Sequence, residues 1–155
     1  MENENEETQN IDETTGEVLE AKEAEETSPA GLQIKEYNTV DKSSKANRLM
    51  IFNAHQNAES FSALNDTPVN IVNVMAERGS KAVTHAPCQN TYLFTDDGKV
   101  YFTQSNGIAK TVNELVNVVD GDFKANTTNG YATVKMYSTP LANGRSFKQL
   151  KLVEI

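Results

Sequence analysis

Tryptophan is absent and cysteine occurs once, at position 88. A lone Cys88 has no internal partner, so a disulfide framework is excluded and a reducing compartment is expected. No apolar run approaches the roughly 18 residues that a membrane-spanning helix requires. The opening Met1-Glu2-Asn3-Glu4 has neither the basic start nor the apolar stretch of a secretory signal, so a soluble, unsecreted protein is expected. The 155 residues suffice for one core with a tail, not for two full-sized cores.

Catalytic signatures are missing as well. No G-x-S-x-G elbow frames a nucleophile, and no G-x-x-x-x-G-K-[ST] loop cradles phosphate. His85 and Cys88 have the spacing of one ligand pair, but neither His55 nor any second pair completes a zinc set of four. The reading is therefore a non-enzyme that needs no cofactor and no metal.

Charge is abundant but unevenly placed. Residues 1–30 carry eleven acids and a single base, Lys22, of the chain's 22 acids and 14 bases; the remainder holds 11 acids and 13 bases. The net −8 thus divides into −10 for the first thirty residues and +2 for the rest. An acidic chain average does not argue against a polyanionic ligand when the folding part is mildly basic.

The first thirty residues contain no aromatic side chain and only isolated Ile11, Val18 and Leu19. Ordering the backbone costs roughly 1 to 2 kcal/mol per residue, which so little apolar surface cannot offset. Residues 1–30 are read as a disordered acidic tail, ending at Ser28-Pro29-Ala30-Gly31. Residues 31–155 are read as one β-domain.

Within that domain, short apolar runs alternate with Asn, Asp, Gly and Ser. Strands are expected at Arg48–Asn53, Val69–Arg78, Thr91–Thr95, Lys99–Thr103, Tyr131–Ser138 and Ser146–Val153, with an edge strand at Gln33–Val40. Asp97-Gly98 and Asn143-Gly144 supply the positive φ of hairpin turns. A single helix is expected over Lys110–Asp120, where Val112, Leu115, Val116 and Val119 form one stripe, Thr111 and Glu114 have capping-box spacing, and Gly121 is the stop. This order fits an OB-fold-like antiparallel barrel of five to six strands with one short helix.

Binding single-stranded nucleic acid without reading its sequence requires flat rings for bases and cations for phosphates. Alternation along Tyr131–Tyr137 puts Ala132, Val134 and Met136 inward, leaving Tyr131, Lys135 and Tyr137 outward; ordinary dressing of an amphipathic strand explains the same pattern. A two-residue Asp97-Gly98 turn pairs Phe94 with Tyr101 and gathers Tyr92, Phe94, Lys99 and Tyr101 on one face. A three-residue turn with a bulge shifts that register, and Phe94 is the ring of this set with the strongest core alternative. Arg48 and Lys148 join Lys99 and Lys135 as phosphate contacts, with Arg78, Lys81, Arg145 and Lys151 as further cations. Stacking at roughly 1 to 3 kcal/mol per base with so modest a charge implies micromolar, salt-sensitive affinity per molecule.

Several stretches, from Arg48 to the end, resemble the single-stranded-DNA-binding proteins of small tailed phages that replicate linear genomes by protein priming. They are Leu49-Met50-Ile51-Phe52-Asn53-Ala54 followed by Ser60-Phe61, Thr91-Tyr92-Leu93-Phe94 with Asp97-Gly98 and Tyr101, the Thr111–Val119 helix, and the closing Ser146-Phe147-Lys148-Gln149-Leu150. The resemblance implies a coat for displaced strands in the bacterial host cytoplasm, protecting them and aiding polymerase elongation. It implies single-stranded DNA as partner, a phage DNA polymerase as a second, and a monomer or weak self-association along DNA. It also makes Tyr92 and Tyr101 the leading stacking candidates. The acidic stretch before Gly31 departs from the family's pattern. The alternatives are an OB-type module for protein or oligosaccharide, or a small structural or accessory phage protein.

Overall fold

The computed structural model describes residues 26–29 and 31–155. Of the expected tail, only Glu26 to Pro29 fall within the described residues. There β1 (Glu26–Thr27) pairs antiparallel with β2 (Gln33–Ile34). Ser28 ties the intervening turn: its N–H donates to Leu32 O at 2.8 Å, and its Oγ accepts from the Leu32 N–H at 3.1 Å. β3 (Tyr37–Asn38) then lies antiparallel on the middle of a large sheet. The edge strand expected over Gln33–Val40 is thus two short pieces serving different sheets.

The large sheet runs in the order β4, β7, β6, β5, β8, β9 and curls into a half-barrel. Its members are β4 (Glu59–Ser60), β5 (Pro68–Ser80), β6 (Pro87–Thr95), β7 (Val100–Thr103), β8 (Ala132–Pro140) and β9 (Ser146–Glu154). All the pairings along this path are antiparallel except β4 on β7. The mainly β, barrel-like expectation holds, and five of the expected strands fall where alternation put them.

The sixth does not. Arg48–Asn53 belongs to a helix, α1 (Lys45–Asn57), started by Ser44, whose side chain accepts from the Asn47 N–H at 3.1 Å. A contiguous apolar run from Leu49 to Phe52 hides the 3.6-residue period. Met50, Ile51, Ala54 and Ala58 face the sheet, whereas Leu49 and Phe52 are 59% and 61% exposed. Among the described residues the single helix expected is therefore one of two 13-residue helices, with a short α3 (Phe123–Asn126) besides.

The second long helix, α2 (Asn106–Val118), begins a turn earlier than expected. Ser105, not Thr111, is its cap, accepting from the Ile108 N–H at 3.2 Å. Ile108 and Ala109 extend the buried stripe backward from Val112 and Leu115. Its end is as expected, with Gly121 at φ +73° and its N–H bonded to Val116 O.

These helices take opposite sides of the sheet. α2 closes the inner side, where its stripe meets Phe61, Ile71, Val74, Leu93, Tyr101, Val134, Met136 and Leu150. Burying each such side chain contributes about 1.5–3 kcal/mol, so this cluster is the main source of stability. Close approach here depends on Gly107: a Cβ there would lie 2.8 Å from Lys148 O on β9. On the outer side α1 covers a second cluster of Met75, Tyr92, Phe94, Val100 and Phe102.

Candidate nucleic-acid interface

The turn between β6 and β7 decides where the first set of expected rings points. It contains three residues, Asp96, Asp97 and Gly98, closed by Thr95 N–H to Lys99 O at 2.9 Å. Gly98 takes φ +86°, which strains any L side chain. The Thr95 hydroxyl, and next the Lys99 N–H, hold the Asp97 carboxyl below the usual carboxylate range. With this loop, Leu93 faces Tyr101, Tyr92 faces Phe102 and Phe94 faces Val100. The expected pairing of Phe94 with Tyr101 is off by one residue, which sends them to opposite faces of the sheet.

Neither face leaves those rings bare. Tyr101 is 5% exposed in the inner core, edge-on to Phe61 at 6.1 Å. Tyr92 and Phe94 are 7% and 1% exposed beneath α1. Tyr92 meets the edge of His55 at 5.4 Å, and that imidazole is held by Glu77 at 2.9 Å. Burial pushes the phenols of Tyr92 and Tyr101 up, with Glu77 adding to the first. The exposed aromatic face expected here is not built, because α1 occupies one side and the core the other.

Two expected cations accompany this covered region. Arg48 stands on the solvent side of α1 and donates to Lys42 O at 2.7 Å. Lys99 follows Gly98 and lines a cleft of about 430 Å³ between α1 and the turn, together with Leu49 and Met50. Neither lies beside an exposed ring of the expected set.

The second expected set lies elsewhere. Along β8, Ala132, Val134 and Met136 are buried, while Thr133, Lys135 and Tyr137 are half-buried on the other side, as alternation requires. Tyr131, just before the strand, is also half-buried. β9 completes that face: Lys135 stands opposite Lys151, Tyr137 opposite Gln149, and Thr139 opposite Phe147. Like charges directly opposed across a ladder destabilise it, so this arrangement costs the fold something that an external anion would recover. Asp66 partly offsets the cost, reaching Lys135 at 3.4 Å, but its side chain is 71% exposed.

Tyr137 and Phe147 occupy diagonal positions in this register, a relation that spaces residues by about 7–8 Å. Phe147 is 47% exposed. By register two rings and two ammonium groups fall on one side of an edge hairpin, and the Phe147 ring also lies against Gly107 at the start of α2. Lys148 alternates away from them, toward the side of Leu150, opposite Ser138. Phe147 was not among the expected site residues, and Lys151 counted only as a further cation. The alternation Phe147, Gln149, Lys151 was nevertheless visible in the closing strand.

Rings and cations on a curled sheet are the elements with which binders of single-stranded nucleic acid hold bases and phosphates. Residues 33–124 match the family described as Phage Single-stranded DNA-binding protein. The match covers more than half of the chain, which belongs to this family; single-stranded DNA is its partner. No curated protein and no solved structure matches the chain.

Proposed function

We propose that the chain coats single-stranded DNA without reading sequence, laying the strand across the outer side of β8 and β9. Bases stack on Tyr137 and Phe147, and phosphates meet Lys135 and Lys151. Tyr131 extends the platform at one end, and Lys148 and Arg48 contribute from neighbouring surfaces. Tyr92, Phe94 and Tyr101 then serve the binding surface from beneath, by holding the sheet in shape.

The observation that carries this reading is the Lys135–Lys151 opposition beside two accessible rings. A merely solvated hairpin gains nothing from opposed lysines, whereas a phosphate chain neutralises both. Stacking is blind to sequence because every base has a π-face. The biological role that follows is to cover strands displaced during phage DNA replication inside the host cell, to shield them and to assist polymerase elongation. Residues 31–155 are the binding domain in this proposal and residues 1–30 an acidic appendage; the unit is a monomer, or self-associates weakly along the strand.

A titration with oligothymidylate, read by tyrosine fluorescence, tests it. Quenching that saturates, and that weakens when Tyr137 is replaced by Ala, is the expected result. Binding that is indifferent to Tyr137, Phe147 and Lys151 together would remove the β8–β9 surface from the account.

A further inference from the structure

A groove of about 520 Å³ opens where the start of α2, the β1–β2 turn and Phe147 converge. It runs on along α2 into a second hollow of about 330 Å³ beside β3, the two sharing Lys35, Asn113 and Asn117. Lys110 stands exposed on the rim, and Glu114 is the one acid that lines either hollow. The groove is therefore amide-rich and weakly cationic, on a lining more apolar than polar.

Its wall is held rigidly. Gln89 and Asn113 exchange two amide hydrogen bonds, at 2.9 and 3.0 Å. Asn113 Oδ1 also accepts from the Tyr37 hydroxyl at 2.7 Å, and Gln89 Oε1 accepts from the Lys35 N–H at 3.0 Å. These bonds account for Asn113 as a structural residue. They do not account for Asn106, whose Oδ1 is buried with no hydrogen-bond partner among the described residues. Turned toward the groove it lines, that acceptor would meet an N–H of a base, the ring N3–H of thymine included.

We infer that this groove is a second segment of the single-stranded DNA path, entered at Phe147 from the β8–β9 surface; the inference rests on the reading proposed above. Phe147 belongs to both places, on the outer side of β9 by register and at the mouth of the groove by contact. A strand that stacks a base on its ring continues along α2, with phosphates at Lys110 and Lys35 and base edges beside Asn106 and Asn117. The family match points the same way. It ends at residue 124, before β8 begins, yet includes the groove residues from Gln33 to Asn117, leaving out Gly31, Leu32 and Phe147. The 13 residues of α2 rise about 20 Å, enough to lengthen the bound strand measurably.

The test is the dependence of affinity on oligonucleotide length, in the full chain, with labelled oligothymidylates from about 4 to about 16 nucleotides, the range of OB-type site sizes. Lys110→Glu and Asn117→Asp are suitable variants, since both residues are exposed. Short oligomers are expected to bind both variants as they bind the wild type. On the longest oligomer the variants are expected to lose about tenfold or more, and the salt dependence to become shallower. Variants that keep the wild-type length dependence, or that lose the short oligomer equally, overturn the inference. A Lys151→Glu variant that still binds the short oligomer normally overturns the β8–β9 reading, and this inference with it.

Discussion

Two stretches of the outer sheet surface carry the same kind of pattern and meet opposite fates. On β6 and β7, Tyr92, Phe94 and Phe102 alternate with core residues, and α1 lies over them. On β8 and β9, Tyr137 and Phe147 alternate with core residues just as regularly, but their side chains remain half-buried or exposed. What separates them is a helix contributed from upstream, ending at Asn57 whereas β6 begins at Pro87, not anything in the strands themselves. An aromatic at an outward strand position is a ligand platform only where no other element needs to bury its own apolar stripe there.

That comparison can be broken most sharply by removing a ring from the covered side. Phe94→Ala should cost about 3–5 kcal/mol of stability, seen as an earlier urea midpoint, because the cavity under α1 cannot collapse fully. DNA affinity of the folded fraction should hardly change. Tyr137→Ala is the converse: the urea midpoint should barely move, while DNA binding weakens by about 1–3 kcal/mol, between about fivefold and somewhat over a hundredfold in Kd. If Phe94→Ala weakened binding of the folded protein and Tyr137→Ala did not, the assignment of the two sides would be reversed.

Smaller effects sharpen the electrostatic half. Lys151→Gln should lower the slope of log affinity against log salt by about one, the signature of one lost phosphate contact. Asp66→Asn should tighten binding by less than about fivefold, since it frees Lys135 from an exposed ion pair. The smallest change concerns acid. Because the Asp97 carboxyl lies lower in the folded chain than its ordinary 3.8, its contribution to stability is present above that value and fades as pH falls through the folded one. An Asp97→Asn variant should thus be less stable than wild type at neutral pH and match it in strong acid. At neutral pH its DNA affinity should equal that of wild type, because the turn serves the covered side.

Much of this architecture was legible in the chain. Period-two alternation located β8 and β9, and the Val112-Leu115-Val119 stripe located α2, because burial on one side leaves a regular trace. Tyr131, Lys135 and Tyr137 were readable as outward for the same reason. Three things were not. Leu49 and Phe52 are exposed apolar residues inside α1, and they fill the gaps that would have revealed a helical period. The β6–β7 register depended on one loop residue, which alternation cannot count and which exchanged the faces of Phe94 and Tyr101. The groove along α2 joins residues 31–39, 106–121 and 147, brought together only by tertiary packing; asparagines at helical positions carry no sequence signal of their own.

Amide chemical-shift mapping of the full chain, titrated with oligothymidylate at low salt, addresses the central claim directly. The account predicts that the largest perturbations fall on β8 and β9 around Lys135, Tyr137, Phe147 and Lys151, with β6 and β7 little moved. Perturbations centred instead on Tyr92, Phe94 and Tyr101, with β8 and β9 silent, would contradict it.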